Sequence, residues 1–148
     1  HIRAADDARL ARLVAQEMSG PADEKLLEQA MPFLKPRAKD THELVEGAAF
    51  LFKTRPLEMD EKAARLLDDE GRARLAEVST VLHRENDWTS AALEATTKAL
   101  AERLELGLGK LAQPLRAALT GSTQSPGIFD VLVLLGREES LARIDDAL

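Results

Sequence analysis

The side chain with the clearest chemical potential is Arg116, in the sparsely charged run QPLRAALTGSTQSPGIF. Between residues 106 and 135 the only other charged side chains are Lys110 and Asp130, although 31% of the chain is charged. A guanidinium held beside an apolar helix face can make bidentate hydrogen bonds to the edge of a nucleic-acid base, because its donors form a rigid fork. An internal salt bridge, for example to Asp130, is the alternative. The residue types leave both uses of Arg116 open.

A second candidate lies a few residues later, at Ser125–Ile128. Ser125 and Pro126 have the residue types of an N-cap and a first helical residue, and they predict a short apolar helix that ends at Gly136. The start of a helix presents backbone N–H groups to acceptors or phosphates. This segment is therefore either a binding turn or a plain capped turn.

Arg37, in the basic run LKPRAKD, is either a binding arginine or part of a solvated loop. Trp88 is expected to pack at a hinge rather than to stack on a base. No nucleophile lies at a recognisable spacing from a base, and no glycine-rich phosphate loop occurs. The chain has no cysteine and three isolated histidines, so we expect no metal. Catalysis by this chain is not expected.

The elements that must position these residues are helices. The core is rich in Leu, Ala, Val and Ile and poor in aromatic residues, which favours helices over a sheet. Apolar residues at helical spacing predict nine helices and no strand. The IFDVLVLL run also fits a buried strand, but the Ser-Pro start and Gly136 favour a helix. Predicted helix starts lie near Asp6, Pro21, Asp40, Asp60 and Thr89, after Gly71 and at Ser125. Of the two remaining helices, one carries Leu108, Leu111, Leu115 and Leu119 on one face, and the last carries Leu141, Ile144 and Leu148.

Charge and hydropathy narrow the class of partner. The net charge of −6 argues against loose, nonspecific binding of nucleic acid, although it allows a small basic face. Residues 57–70 contain six acids and two bases. No apolar run approaches the roughly 20 residues of a membrane span, so we expect a soluble, cytoplasmic protein. The chain begins with His1 rather than Met, which suggests an excised domain.

The run QPLRAALTGSTQSPGIFDVLVLLGREESLARIDDAL resembles the C-terminal end of bacterial glutamyl-tRNA synthetases. The resemblance extends upstream through LGLGKLAQPLR, ENDWTSAALEA and LKPRAKDTHEL with AAFLF, so it covers nearly the whole chain. Neither the HIGH-type nor the KMSKS-type signature of a class I synthetase occurs. The resemblance therefore implies an all-α anticodon-binding domain without the catalytic part. It would consist of two consecutive small helical bundles, residues 1–55 and 56–148.

The resemblance also implies roles for five residues. Arg116 matches the arginine that reads the third anticodon base, a cytosine. Ser125, Pro126 and Ile128 match the loop and helix start that enclose the second and third bases. Arg37 matches the arginine that favours cytosine over uracil at the first base. The family more often has Thr and Leu where this chain has Ser125 and Ile128, and both changes keep the hydroxyl or the apolar wall.

The implied partners are the anticodon loop of glutamate tRNA and the catalytic domain of a parent synthetase that attaches glutamate to tRNA. No cofactor is expected in this chain, whereas ATP and magnesium belong to the absent catalytic domain. We expect a monomer that does not bind membranes. Two alternatives stay open: a helical protein-interaction module that binds no RNA, and the same domain from a relaxed synthetase that also charges glutamine tRNA.

Overall fold

The computed structural model describes residues 6–18 and 20–148, so His1 lies outside the described residues. The described residues form nine α-helices and no β-strand, which confirms the all-helical prediction. The helices are α1 (Asp7–Glu17), α2 (Glu24–Leu34), α3 (Thr41–Ala48), α4 (Glu61–Leu66), α5 (Asp69–Arg84), α6 (Ser90–Arg103), α7 (Leu108–Thr120), α8 (Ile128–Leu135) and α9 (Arg137–Ala147). Short 3-10 helices at Lys35–Arg37 and Ala49–Phe52 follow α2 and α3.

The chain divides into two compact units, one that ends at Lys53 and one formed by Thr54–Leu148. This division lies close to Arg55, after which the sequence predicts a domain boundary. Arg55 makes its ion pairs within the second unit. Its Nη1 lies 3.4 Å from Asp146 Oδ2, and its Nε lies 3.8 Å from Glu139 Oε1. An arginine that pairs with α9 in this way belongs to the second unit.

In the first unit α1 packs against α2 and α3. Aspartates whose carboxylates accept backbone N–H groups cap all three helices, and they are Asp6, Asp23 and Asp40. Such caps satisfy donors that the first turn of a helix leaves unpaired. The fully buried core side chains include Val14, Leu27, Met31 and Leu44. Arg37 lies on the surface of this unit, at the end of the 3-10 helix that follows α2.

The second unit is built around α7, which packs against α4, α5, α6, α8 and α9. Leu111, Leu115 and Leu119 recur every four residues along α7 and are fully buried. The helix runs unbroken through Pro114 and ends at Gly121, whose left-handed backbone (φ 73°) suits the C-terminal cap. A helix that is surrounded in this way holds the side chains that it carries on a rigid backbone.

The sequence predicts that α5 starts after Gly71, and this prediction is wrong. The helix begins at Asp69, and the Asp68 carboxylate accepts the Gly71 N–H at 2.8 Å. Gly71 is therefore buried inside the first turn. A Cβ at Gly71 would lie 1.8 Å from the carbonyl oxygen of Leu66, the last residue of α4. Close packing of α4, rather than a break in the helix, accounts for glycine at this position.

Candidate nucleic-acid interface

Arg116 and Ser125, two of the predicted site residues, are in direct contact. The Arg116 Nε donates a hydrogen bond to Ser125 Oγ at 2.7 Å. The same hydroxyl donates to the Pro126 carbonyl at 2.7 Å, which is possible because a hydroxyl both donates and accepts. Arg116 is half-buried on the central helix of its unit. The contact therefore holds one edge of the guanidinium in a fixed orientation.

The start of α8 differs from its prediction. Ser125 and Pro126 are not the N-cap and the first helical residue, because α8 begins at Ile128, with Gly127 as its N-cap and no side-chain cap. The Ser125 hydroxyl contacts Arg116 and the Pro126 carbonyl instead. A contact with a distant residue thus replaces the local capping bond. Pro126 and Ile128 are both buried, and Ile128 is 5% exposed.

A surface cavity of about 380 Å³ lies beside Arg116. Its lining comes from α4, from α7 and from the loop that follows α7, and consists of Lys62, Arg65, Leu66, Gln113, Arg116 and Thr123. Among these described residues three are cations and none is an acid. In a chain with a net charge of −6, this lining concentrates positive charge at one place. A cavity with three cations in its lining suits the phosphates and the polar base edges of a nucleic acid.

Two of the lining cations, Lys62 and Arg65, were missed by the sequence analysis. They lie within the acid-rich run of residues 57–70, which sequence composition marks as an acidic surface. Their spacing of three residues on a helix is the signal that could have revealed them, since residues i and i+3 share a face. The sequence around Arg116 does not indicate that α4 packs beside this residue.

The backbone holds α4 against the end of α7. The Asp60 N–H donates to the Gly121 carbonyl at 2.9 Å. The Asp60 carboxylate accepts the Ala63 N–H at 2.7 Å and so caps α4. At the other end of α4, Leu66 packs on Gly71 of α5. These contacts fix both ends of the helix that carries the cationic wall of the cavity.

Trp88 packs within the second unit, and its expected role at a hinge stays a prediction. Its Nε1 donates to the Leu132 carbonyl at 2.9 Å, and the Arg137 guanidinium lies 5.4 Å from the ring centroid. Arg137 also donates to the backbone carbonyls of His83 and Glu85. The pKa of the Glu85 carboxyl is lowered, chiefly by the hydrogen bond from the Thr96 hydroxyl. These contacts join the end of α5 to α6, α8 and α9.

The predicted site residues are shared between the units. Arg37 belongs to the first, and Arg116, Ser125, Pro126 and Ile128 belong to the second. Within residues 6–18 and 20–148, no group of three or more histidine or acidic side chains is placed to hold a metal ion. None of the described helices has both the length and the apolar character of a membrane span.

Comparison with known proteins identifies the class to which this helical domain belongs. The family described as the anticodon-binding domain matches residues 9–148, and the chain belongs to this family. One relative, the glutamate–tRNA ligase 1 of Erythrobacter litoralis, is 77% identical over 145 residues. Another, the glutamate–tRNA ligase 2 of Rhizorhabdus wittichii, is 60% identical over 155 residues. The two alignments cover 98% and 100% of this chain. The chain, however, spans only 30% and 33% of the lengths of these two relatives.

A solved structure has the same fold. The crystal structure of a glutamate tRNA ligase from Elizabethkingia meningosepticum matches with a TM-score of 0.84 at 23% sequence identity. The match covers 99% of this chain and 30% of that one. At this identity the likeness is one of fold.

Proposed function

We propose that this chain is the anticodon-reading, C-terminal part of a glutamate–tRNA ligase. The support is its 77% identity to a glutamate–tRNA ligase of which it spans 30%, together with the absence of both class I signatures from its sequence. In this proposal a separate catalytic domain binds ATP and magnesium and attaches glutamate to the tRNA. The parent works in the cytoplasm, where tRNA and ATP are available. We treat the chain as a monomer, and light scattering of the purified chain tests that state.

The observation that carries the proposal is the hydrogen bond between Arg116 and Ser125 beside a cationic cavity. The Watson–Crick edge of cytosine presents two adjacent acceptors, O2 and N3, whereas N3 of uracil and N1 of guanine carry hydrogens. A guanidinium held through its Nε favours the base with adjacent acceptors, because its donors project in a fixed fork. Single-stranded loops expose such edges to proteins. We therefore assign Arg116 to the third anticodon base, a cytosine.

The loop beside Arg116 supplies the rest of this subsite. We propose that Ser125, Pro126 and Ile128 enclose the second and third bases. Ser125 orients the arginine, and buried Pro126 and Ile128 fix the backbone at the start of α8. No side chain caps α8, so the backbone N–H groups of its first turn suit the acceptor atoms of a base. In the first unit, exposed Arg37 is proposed to favour cytosine over uracil at the first base.

Hairpin binding tests the assignment of Arg116. The affinity of the chain would be measured for an RNA hairpin with the glutamate anticodon and for the same hairpin with the third base changed. We expect Arg116→Ala to remove about 1–3 kcal/mol of the preference for the cognate hairpin, the scale of one good bidentate contact. Arg84→Ala, an exposed arginine on α5, is the matched control and should keep the preference. If Arg116→Ala weakens binding of both hairpins equally, Arg116 does not read that base.

A further inference from the structure

The α4 wall of the cavity contains two cations, Lys62 and Arg65, that base reading by Arg116 leaves without a role. Both are exposed. Arg65 pairs with Glu61 on the same helix, whereas Lys62 makes no ion pair or hydrogen bond with any described residue. Lys62 therefore brings a positive charge without a described counter-ion to a cavity whose lining contains no acid. The arrangement favours an anion as the occupant of this side of the cavity.

Glu61 compensates the charge of Arg65, but no acidic side chain pairs with Lys62 among the described residues. The Asp60 carboxylate accepts the Ala63 N–H at the start of α4, and no acidic side chain lines the cavity among the described residues. The position of the wall is also fixed, because the Asp60 N–H is bonded to the Gly121 carbonyl at the end of α7. A nucleotide whose base reaches Arg116 carries a phosphate beyond its ribose. The opposite wall of the same cavity is therefore placed to receive that phosphate.

We propose that Lys62, assisted by Arg65, binds a backbone phosphate of the nucleotide whose base Arg116 reads. This inference rests on the proposed function, since it takes the ligand to be the anticodon loop. A lysine is a compact point charge that binds phosphate without reading sequence. Arg65 contributes less, because Glu61 competes for its guanidinium. The base contact and the phosphate contact thus come from two helices that meet at one cavity.

The test is the salt dependence of hairpin binding by the chain and its Lys62→Gln variant. Each phosphate contact to a single strand contributes about 0.7 to the slope of log affinity against log salt, which corresponds to about five-fold in affinity at 0.1 M salt. We expect Lys62→Gln to lower the salt slope by about 0.7 and the affinity at 0.1 M salt by about five-fold. The ratio of affinities for the cognate hairpin and its third-base variant should stay unchanged. Lys62→Arg should restore the slope.

The matched control is Lys98→Gln on α6, which removes the same charge from another face of the unit. Lys98 pairs with Glu94 and lies outside the cavity lining. Equal slopes and affinities for Lys62→Gln and Lys98→Gln would overturn the phosphate contact, even while Arg116→Ala still abolishes base preference. A changed base ratio in Lys62→Gln would overturn it too. If the unsubstituted chain shows no preference for the cognate hairpin, the proposed function fails, and the phosphate contact fails with it.

Discussion

Replacing Gly71 with alanine tests how the cationic wall of the cavity is held in place. Gly71 is buried in the first turn of α5. A Cβ there would lie 1.8 Å from the carbonyl oxygen and 2.9 Å from the carbonyl carbon of Leu66, at the end of the helix that carries Lys62. The obstructing atoms belong to the backbone, so no side-chain rotation can relieve the clash. Either α4 or α5 must move.

Two effects of opposite sign decide the size of the change. Alanine has the higher helix propensity, which stabilises the variant by up to about 1 kcal/mol. Against this, the Cβ and the Leu66 oxygen must separate from 1.8 Å to the 3.4 Å at which ordinary contact begins. Overpacking usually costs about 1–3 kcal/mol, and a shift of main chain this large belongs at the upper end or beyond. The steric effect prevails, and we expect the free energy of unfolding to fall by about 2 kcal/mol.

Urea denaturation followed by tryptophan fluorescence measures this loss. Trp88 is the single tryptophan of the chain and lies in the second unit, so its signal reports the unfolding of the unit that contains Gly71. We expect the midpoint to fall by about 1 M, given typical urea slopes for small proteins. Gly109→Ala is the matched control, because Gly109 lies in the first turn of α7 and its Cβ would meet nothing within 4 Å. Equal stability of the two variants would refute the close approach to Leu66.

Three further variants probe other contacts. Arg143 is 2% exposed and its Nη1 donates to the Leu119 carbonyl at 2.7 Å, so Arg143→Met should lower the free energy of unfolding by about 1–3 kcal/mol in urea. The pKa of the Glu85 carboxyl is lowered in the folded chain. The ionised carboxylate therefore stabilises the fold at pH values above its ordinary pKa of 4.5, and this stabilisation is lost as the pH falls through the pKa of the folded chain. NMR titration of Thr96→Val should show the Glu85 pKa rising toward 4.5, and an unmoved pKa would exclude the Thr96 bond as its main cause. Arg37→Gln should narrow the preference for cytosine over uracil at the first base, and equal preferences in hairpin binding would exclude that role.

The helices could be predicted because their signals are local. Asp6, Asp40, Asp60 and Thr89 are predicted helix starts, and each is the N-cap that the structure shows. In every case the side-chain oxygen accepts an N–H two or three residues later, so the sequence contains both partners of the bond. Apolar residues at helical spacing then set which face of each helix is buried. Neither signal depends on the rest of the fold.

Three helix starts were predicted wrongly. The start predicted near Pro21 lies at Glu24, with Asp23 as its N-cap, and the other two depend on contacts between different elements. Gly71 has the residue type of a helix break, but its use is the close approach of the Leu66 carbonyl. Ser125 has the residue type of an N-cap, but its hydroxyl contacts Arg116, nine residues earlier. The burial of Arg143 could not be predicted either, because it depends on how α9 packs on α7. Sequence could single out Arg116 and Ser125 separately, whereas their hydrogen bond required the fold.

The negative net charge of the chain and the positive charge of the cavity lining act on RNA over different distances. At physiological salt the Debye length is about 8 Å, so acids farther away than this have little effect on the phosphate that Lys62 and Arg65 are proposed to bind. At low salt the screening is weaker, and the net charge of −6 repels any RNA that lacks the contacts proposed for the cavity. Net charge therefore contributes most to selectivity where nonspecific binding is otherwise strongest. Unrelated RNA that binds the chain as tightly as the anticodon hairpin at low salt would contradict this division of roles.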